Sequence, residues 1–223
     1  MITSRDNATL KLVRKLRERK HRAETGLFAA EGEDLVDAAR AAGVEPVHLL
    51  VAGETVEASL MPSVSGLPHP SRVIGVFRAG DLPSGTRPVT LALWRLADPG
   101  NVGTLLRTAD AFGAGVALSE GCADPTGPKA LRASAGAAFR VPRVAWDELG
   151  GERVALVAHG GTPLHELAVE PPLTFFLGAE REGLPADLAT RCREATIELP
   201  GGAESLNVAA AGAVALYEVT RPR

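Results

Sequence analysis

The sequence predicts an α/β protein in which a parallel sheet, covered by helices on both faces, follows a smaller α/β domain. From residue 89 onward, short apolar runs alternate with helical segments, which is typical of parallel sheets. A stretch rich in glycine and proline, GDLPSGTRP, precedes this alternation. A chain of 223 residues has room for two such parts. We therefore predict domains at 1–79 and 89–223, joined by a linker at 80–88.

The composition predicts an ordinary globular protein with an aliphatic core. Apolar residues make up 45% of the chain and aromatic residues only 4%. No apolar run is long enough to cross a membrane, and the basic leading segment lacks the apolar stretch of a signal peptide. Cys122 and Cys192 provide neither a disulfide framework nor a metal-ligand spacing. The expectation is a cytoplasmic protein without a membrane segment or a metal.

The leading segment carries most of the positive charge. Residues 1–22 contain eight basic and two acidic side chains, whereas the remainder has 16 basic and 25 acidic. Leu10, Val13 and Leu16 recur at helical spacing, which predicts an amphipathic helix with a cationic face. Such a face can bind RNA phosphates or can simply be solvated. The candidate RNA-binding residues are Lys11, Arg14, Lys15, Arg17, Arg19, Lys20 and Arg22.

The remaining elements follow from periodicity and turn residues. In the first domain we predict a helix at 33–42, strands at 46–51 and 72–77, and a loop at 61–70. In the second, strands are predicted at 89–94, 115–118, 154–158, 173–177 and 195–199, with helices at 102–112, 128–135, 185–192 and at the end of the chain. Dinucleotide-binding and P-loop patterns do not occur.

Three loops fall at the carboxyl ends of the predicted strands, where ligands bind in parallel sheets. In the first, 97–103, Asn101 is placed to cap the next helix, and Arg107, expected on the buried side of that helix, needs either an anionic ligand or a structural ion pair. In the second, 178–184, Gly178 and Gly183 allow a ligand to approach the backbone, and Glu180 faces the same crevice.

The third loop, 200–207, joins a strand to a helix of small residues through Pro200-Gly201-Gly202. Its Glu204, Ser205 and Asn207, together with free backbone N–H groups, would hold a ligand. The alternative is a glycine turn that caps a core helix.

Taken together, the three loops resemble a known family. DPGNVGTLLRTADAFGA, FFLGAEREGL and GGAESLNVAAAGAVALYE are similar to the three motifs of the SpoU branch of RNA ribose 2′-O-methyltransferases, within the SPOUT superfamily. The resemblance covers about residues 88–223 and includes the helix of PKALRASAG. Residues 1–79, with FAAEG, resemble the L30e-like RNA-binding domain of many members. The implied fold is an α/β sheet with a trefoil knot near its carboxyl-terminal end.

The resemblance also implies a reaction. S-adenosylmethionine would be held by Leu177, Gly178, Gly183, Ile197, Leu199 and Leu206. Arg107 would clamp a phosphate and stabilise the developing 2′-oxyanion, since a guanidinium cannot act as a base. Asn101 and Glu180 would orient Arg107, and Ser205 and Asn207 would fix the third loop. A homodimer is implied, in which Arg107 and the cofactor belong to different subunits.

The substrate and one alignment stay open. The L30e-like domain favours large-subunit (23S) ribosomal RNA as partner; the alternatives are a transfer RNA methyltransferase and a non-catalytic RNA-binding protein. Family members have Ile-Pro before the glycine turn, whereas this chain has Ile197-Glu198 and places its proline at Pro200. Either Ile197 or Leu199 is thus equivalent to the family isoleucine.

Overall fold

The computed structural model describes residues 1–221, which form two compact units. The first unit contains Met1–Leu82 together with Asp124–Arg140, and the second contains Pro83–Ala123 and the residues from Val141 onward. Residues 124–140 therefore pack with the first unit, although they lie between two parts of the second along the chain. The boundaries 1–79, 80–88 and 89–223 remain predictions, and the last two positions lie outside the described residues.

Seven α-helices and nine strands occur in the described part of the chain. The helices are α1 (Ala8–Lys15), α2 (Arg19–Thr25), α3 (Glu33–Ala41), α4 (Pro99–Ala111), α5 (Pro128–Ser134), α6 (Ala186–Ala189) and α7 (Val208–Thr220). The strands are β1 (Leu27–Glu31), β2 (His48–Val51), β3 (Val73–Arg78), β4 (Val89–Leu93), β5 (Gly115–Leu118), β6 (Glu152–Val157), β7 (Thr162–Pro163), β8 (Leu173–Leu177) and β9 (Arg193–Thr196).

The first unit contains a three-stranded antiparallel sheet in the order β1-β3-β2. Strand β1 was not predicted, because its sequence LFAAE also suits a helix; in the sheet Phe28 and Ala30 point inward. The predicted basic helix is in fact two helices. Asn7 caps α1, the first helix stops at Lys15, and α2 ends at Gly26 in the left-handed conformation that glycine adopts without strain.

Two contacts fasten residues 124–140 to this unit. The rings of Phe28, Phe77 and Phe139 form a buried cluster with centroids 5.2 to 5.9 Å apart. The Arg22 guanidinium donates from Nε and Nη2 to one oxygen of Asp124, at 2.8 and 2.7 Å. Both side chains are largely buried, with exposed fractions of 7% and 17%. Arg22 also donates to two backbone carbonyls, so its buried charge is well solvated by protein groups.

The second unit contains the six-stranded parallel sheet that the sequence predicts, in the order β5-β4-β8-β6-β9-β7. Helices α4 and α7 pack against each other, and Gly212 of α7 makes this contact close: a Cβ there would lie 2.5 Å from Leu105. Parallel pairing places the carboxyl ends of β4, β6, β8 and β9 along one edge. The trefoil knot stays a prediction.

Some predicted bounds were wrong. The last strand ends at Thr196 instead of 199, because pairing stops where the chain turns towards the glycine loop. Helix α6 is shorter than 185–192, and the short strand β7 was missed. Part of the predicted loop at 61–70 belongs to a 3₁₀ helix, Ala58–Ser63. Among residues 1–221, no helix has the length and apolar character needed to cross a membrane.

The Arg22–Asp124 pair makes the stability of the protein depend on pH. Burial acts to raise the pKa of the Asp124 carboxyl, but hydrogen bonds from the Thr126 hydroxyl and N–H and from Arg22 outweigh it, so the pKa is lowered. A carboxyl with a lowered folded-state pKa stabilises the fold above its unfolded pKa, and this contribution disappears as the pH falls through the folded-state value.

We therefore expect Asp124→Asn to lower the free energy of unfolding by about 3 kcal/mol at neutral pH, because it leaves Arg22 buried without a counter-charge. At about pH 3 the difference from the wild type should shrink, since the unfolded wild-type carboxyl is then protonated while the folded one, with its lowered pKa, resists protonation. Urea unfolding at both pH values measures this. The control is Asp6→Asn, which removes an exposed ion pair to Lys11 and should change little. An equal loss at both pH values would contradict the assignment.

Candidate active site

A cleft of about 560 Å³ lies in the second unit at the carboxyl ends of β6 and β8. Its size suits a nucleoside-sized ligand. The walls combine apolar side chains with polar groups of the second and third loops. The lining residues are Leu156, Val157, Ala158, Leu177, Gly178, Ala179, Glu180, Arg181, Glu182, Gly183, Ile197, Leu199, Ser205, Leu206, Asn207, Val208 and Ala211.

A chain of side-chain hydrogen bonds connects the three loops. Asn101 Nδ2 donates to Glu180 Oε1 at 2.9 Å, and Asn207 Nδ2 donates to Asn101 Oδ1 at 3.1 Å. These residues are 79 and 106 positions apart in sequence. The three loops therefore meet at one point, as expected for strands that end at the same sheet edge.

Both helix starts at this edge are capped by side chains. Asn207 caps α7, since its Oδ1 accepts from the N–H groups of Ala209 and Ala210 at 2.8 and 3.4 Å. Helix α4 is capped by Asp98, which accepts from Gly100 and Asn101, and Pro99 begins the helix. The prediction that Asn101 is the cap was wrong. The sequence signal for the cap is Asp98 followed by Pro99, because proline is favoured at the first position of a helix.

These caps also change the interpretation of the third loop. The N–H groups that seemed free at the start of α7 already have Asn207 as partner. The expected Pro-Gly-Gly turn is confirmed, with the Gly202 N–H donating to the Leu199 carbonyl at 3.1 Å and φ of +77° at Gly202. Ser205 and Leu206 follow it, are exposed and line the cleft.

Gly178 is needed for the shape of the second loop. A Cβ at this position would lie 2.3 Å from the carbonyl carbon of Gly183 and 2.5 Å from the nitrogen of Leu184. The loop closes through reciprocal backbone hydrogen bonds between Ala179 and Gly183, and Gly183 has φ of +67°. Close approach of one backbone segment to another thus explains Gly178, and the positive φ explains Gly183.

Arg107 lies away from the cleft. It is exposed, so the prediction of an arginine on a buried side of the helix was wrong; the buried face of α4 is instead formed by apolar residues such as Leu105 and Leu106. Arg107 does not line the cleft, and within residues 1–221 it has no hydrogen bond or ion pair, so Asn101 and Glu180 do not orient it directly. Its guanidinium is open to solvent.

The predicted RNA-binding residues of the first unit fall into three groups. Arg22 is buried against Asp124, so the structure does not support an RNA contact for it. Arg14 and Arg17 hold backbone carbonyls at 63–65 with their guanidinium groups. Four exposed cations complete the set: Lys11, Lys15, Arg19 and Lys20, of which Lys11 pairs with Asp6 and Lys20 with Glu24.

Sequence reasoning missed part of the cleft wall. Leu156, Val157 and Ala158 come from the end of β6, and Val208 and Ala211 from the start of α7. Position at the carboxyl end of a parallel strand was the available signal for the first three. Ile197 and Leu199 both line the cleft, so the structure is compatible with either alignment of the third motif. Among the described residues no cluster of His, Cys, Asp or Glu could hold a metal ion.

We expect Gly178→Ala to destabilise the protein by about 2 kcal/mol, because the added methyl group overlaps backbone atoms that cannot move without opening the loop. The matched control is Gly201→Ala in the neighbouring loop, where a Cβ meets nothing within 4 Å. That change should stay within about 0.5 kcal/mol. Urea unfolding measures both, and equal effects would show that loop closure at Gly178 is not the constraint.

Comparison with known proteins identifies the family. The profile of the SpoU rRNA Methylase family matches residues 88–217, and that of the MRM3-like substrate binding domain matches residues 7–76. The 23S rRNA (guanosine(2553)-2′-O)-methyltransferase RlmP of Bacillus subtilis (strain 168) is 30% identical over 243 residues, which cover 98% of each chain.

Two solved structures have the same fold along nearly the whole chain. The AdoMet-bound rRNA methyltransferase from Sinorhizobium meliloti superposes with a TM-score of 0.80 at 31% identity, covering 97% of this chain and 95% of that one. The SpoU methyltransferase AviRb from Streptomyces viridochromogenes, in complex with AdoMet, gives 0.79 at 26% identity, with 95% and 97% covered. The predicted SpoU resemblance is thereby confirmed, and the chain belongs to the SpoU rRNA methylase family, with a substrate-binding domain before the methyltransferase domain.

Proposed function

We propose that this protein methylates a ribose 2′-hydroxyl of 23S ribosomal RNA, with S-adenosylmethionine as the methyl donor. The observation that carries the proposal is the hydrogen-bonded series Glu180–Asn101–Asn207, which joins the three family motifs at the rim of one cleft. The Bacillus subtilis relative is named for 2′-O-methylation of 23S rRNA, and it aligns with this chain from end to end.

The cleft has the chemistry that the donor requires. Leu177, Ile197, Leu199 and Leu206 provide apolar surface for an adenine ring, and the loop at 178–183 presents backbone groups at the rim. The related proteins from Sinorhizobium and Streptomyces were solved with AdoMet bound. S-adenosylmethionine supplies an electrophilic methyl group that passes to the ribose oxygen while the hydroxyl proton leaves.

The protein's part in this reaction is alignment and charge stabilisation. Arg107 keeps its charge at every accessible pH, so we assign it the RNA phosphate and the developing 2′-oxyanion. Glu180 is exposed at the rim and is the carboxylate of the hydrogen-bonded series, so we assign it the proton of the 2′-hydroxyl. Asn101 and Asn207 hold the rim in shape, and Ser205 lines the cleft without a hydrogen bond among residues 1–221.

A homodimer accounts for the separation of Arg107 from the cleft. In one chain the exposed face of α4 directs Arg107 to solvent. The neighbouring helix α7 exposes two large apolar side chains, Val214 and Tyr217, with exposed fractions of 39% and 58%. We propose that this face pairs with a second copy, and that Arg107 of each subunit serves the cleft of the other. The trefoil knot and a cytoplasmic location belong to the same proposal.

Arg107→Ala should lower the rate of methyl transfer to 23S ribosomal RNA at least about 100-fold, as loss of an oxyanion-stabilising group does elsewhere. Its affinity for S-adenosylmethionine should not change, because Arg107 is assigned to the RNA phosphate and the 2′-oxygen and not to the donor. Transfer from radiolabelled donor and calorimetry measure the two quantities. Arg193→Ala is the control, since this arginine starts β9 at the opposite edge of the sheet. Full activity of Arg107→Ala would refute the assigned role.

Mixing two inactive subunits tests whether Arg107 acts across the dimer. A cleft variant, Asn207→Ala, mixed with Arg107→Ala should restore about a quarter of the wild-type activity, because half of the dimers are mixed and each holds one intact site. No recovery after subunit exchange would place Arg107 and its cleft in the same chain. Sedimentation of the wild type and of Tyr217→Asp, expected as dimer and monomer, shows whether α7 forms the interface.

A non-catalytic RNA-binding protein and a transfer RNA methyltransferase remain the alternatives. The absence of binding heat with S-adenosylmethionine at high protein concentration would favour the first. Methylation of transfer RNA but not of 23S ribosomal RNA would favour the second.

A further inference from the structure

The segment Asp124–Arg140 belongs to the methyltransferase family match by sequence but to the first unit by packing. The buried Arg22–Asp124 pair and the ring contacts of Phe139 with Phe28 and Phe77 hold it there. In consequence α5 packs as part of the unit that begins with the basic helices α1 and α2.

This segment brings positive charge with it. Residues 124–140 contain three basic side chains and one acidic side chain. The acid is Asp124, which Arg22 already neutralises, whereas Lys129, Arg132 and Arg140 are exposed. The segment therefore adds cationic surface and no free carboxylate.

Helices α1 and α5 border the same shallow groove. Its lining includes Arg17 after the end of α1 and Arg132 on α5, with Leu131 and Val13 at its base. The Arg17 guanidinium is fixed by the carbonyls of Val64 and Ser65 and keeps its charge. Glu31 also lines the groove, but its carboxylate accepts from the Ser65 hydroxyl and from the Gly66 N–H at 2.8 Å, so it is committed to the turn.

We propose that α5 and α1 together form the RNA-binding surface of the first unit, and that Arg132 contacts an RNA phosphate. This inference rests on the proposed function, because it takes RNA as the substrate. The RNA backbone is the partner that matches two arginines lining one groove, since the Arg132 guanidinium can bind a phosphate in bidentate fashion and Arg17 adds its charge. Arg17 and Arg132 line the groove itself, and the exposed Lys15 and Lys129 lie on the two helices that border it, α1 and α5.

The test compares Arg132→Gln with Arg78→Gln in the full-length protein. Arg78 is also an exposed arginine of the first unit, but it lies on β3 opposite Leu27, at the start of β1. The groove lies at the other end of β1, where Glu31 is. Affinity for deproteinised 23S ribosomal RNA is measured across a salt series. Arg132→Gln should weaken binding about fivefold and reduce the slope of log affinity against log salt by about 1. Arg78→Gln should leave both unchanged.

Arg132→Gln should also raise the KM for RNA while leaving kcat unchanged, and thermal unfolding verifies that both variants are folded. Wild-type affinity and slope for Arg132→Gln would overturn the proposal, and so would equal losses in both variants, which indicate a diffuse charge effect. These results are distinct from a failure of the proposed function, which would appear as a wild-type protein that neither binds S-adenosylmethionine nor methylates RNA. A wild-type protein that does not bind RNA would refute both.

Discussion

The side-chain amide of Asn101 is the constraint on which the candidate site depends. It has one acceptor and one donor group, and both are used, by Asn207 and Glu180 respectively. The direction of the series is set at α7, because the oxygen of Asn207 must face the helix N–H groups. The nitrogen of Asn207 then faces Asn101, and the nitrogen of Asn101 faces Glu180. An aspartate at position 101 could not donate, so the amide itself is required.

Packing beneath the loops makes this series possible. The close contact at Gly212 and Leu105 brings α4 and α7 together, and the starts of both helices follow directly from strand ends or loops at one edge of the sheet. Exposed hydrogen bonds contribute only about 1 kcal/mol each, so the series fixes the relative positions of the three loops more than it stabilises the fold. The helix packing provides the stability, and the amides select one arrangement of the three loops. A ligand that bridges them meets a rim that is already ordered.

The sequence predicted the sheet and the meeting of the loops because both follow from local rules. Apolar runs such as 115–118 and 173–177 match strands β5 and β8, and parallel pairing forces their loops to one edge. What failed depended on tertiary context. The alanines of β1 have little strand preference and pair only because β3 lies beside them. The exposure of Arg107 depends on which face of α4 meets α7, and the prediction of a buried arginine assigned that face wrongly.

The basic leading segment shows why a count of charges overestimates a binding surface. Arg22 is ion-paired with Asp124, and Arg14 and Arg17 donate hydrogen bonds to the carbonyls at 63–65. These three arginines make hydrogen bonds to residues 47 to 102 positions away in sequence, so they stabilise the unit in the absence of RNA. The carbonyl-bound guanidinium groups still carry their charges, but in fixed positions. Arg22 is not available to bind RNA, but its ion pair with Asp124 attaches residues 124–140 to the first unit. Lys129 and Arg132 belong to the same unit for this reason.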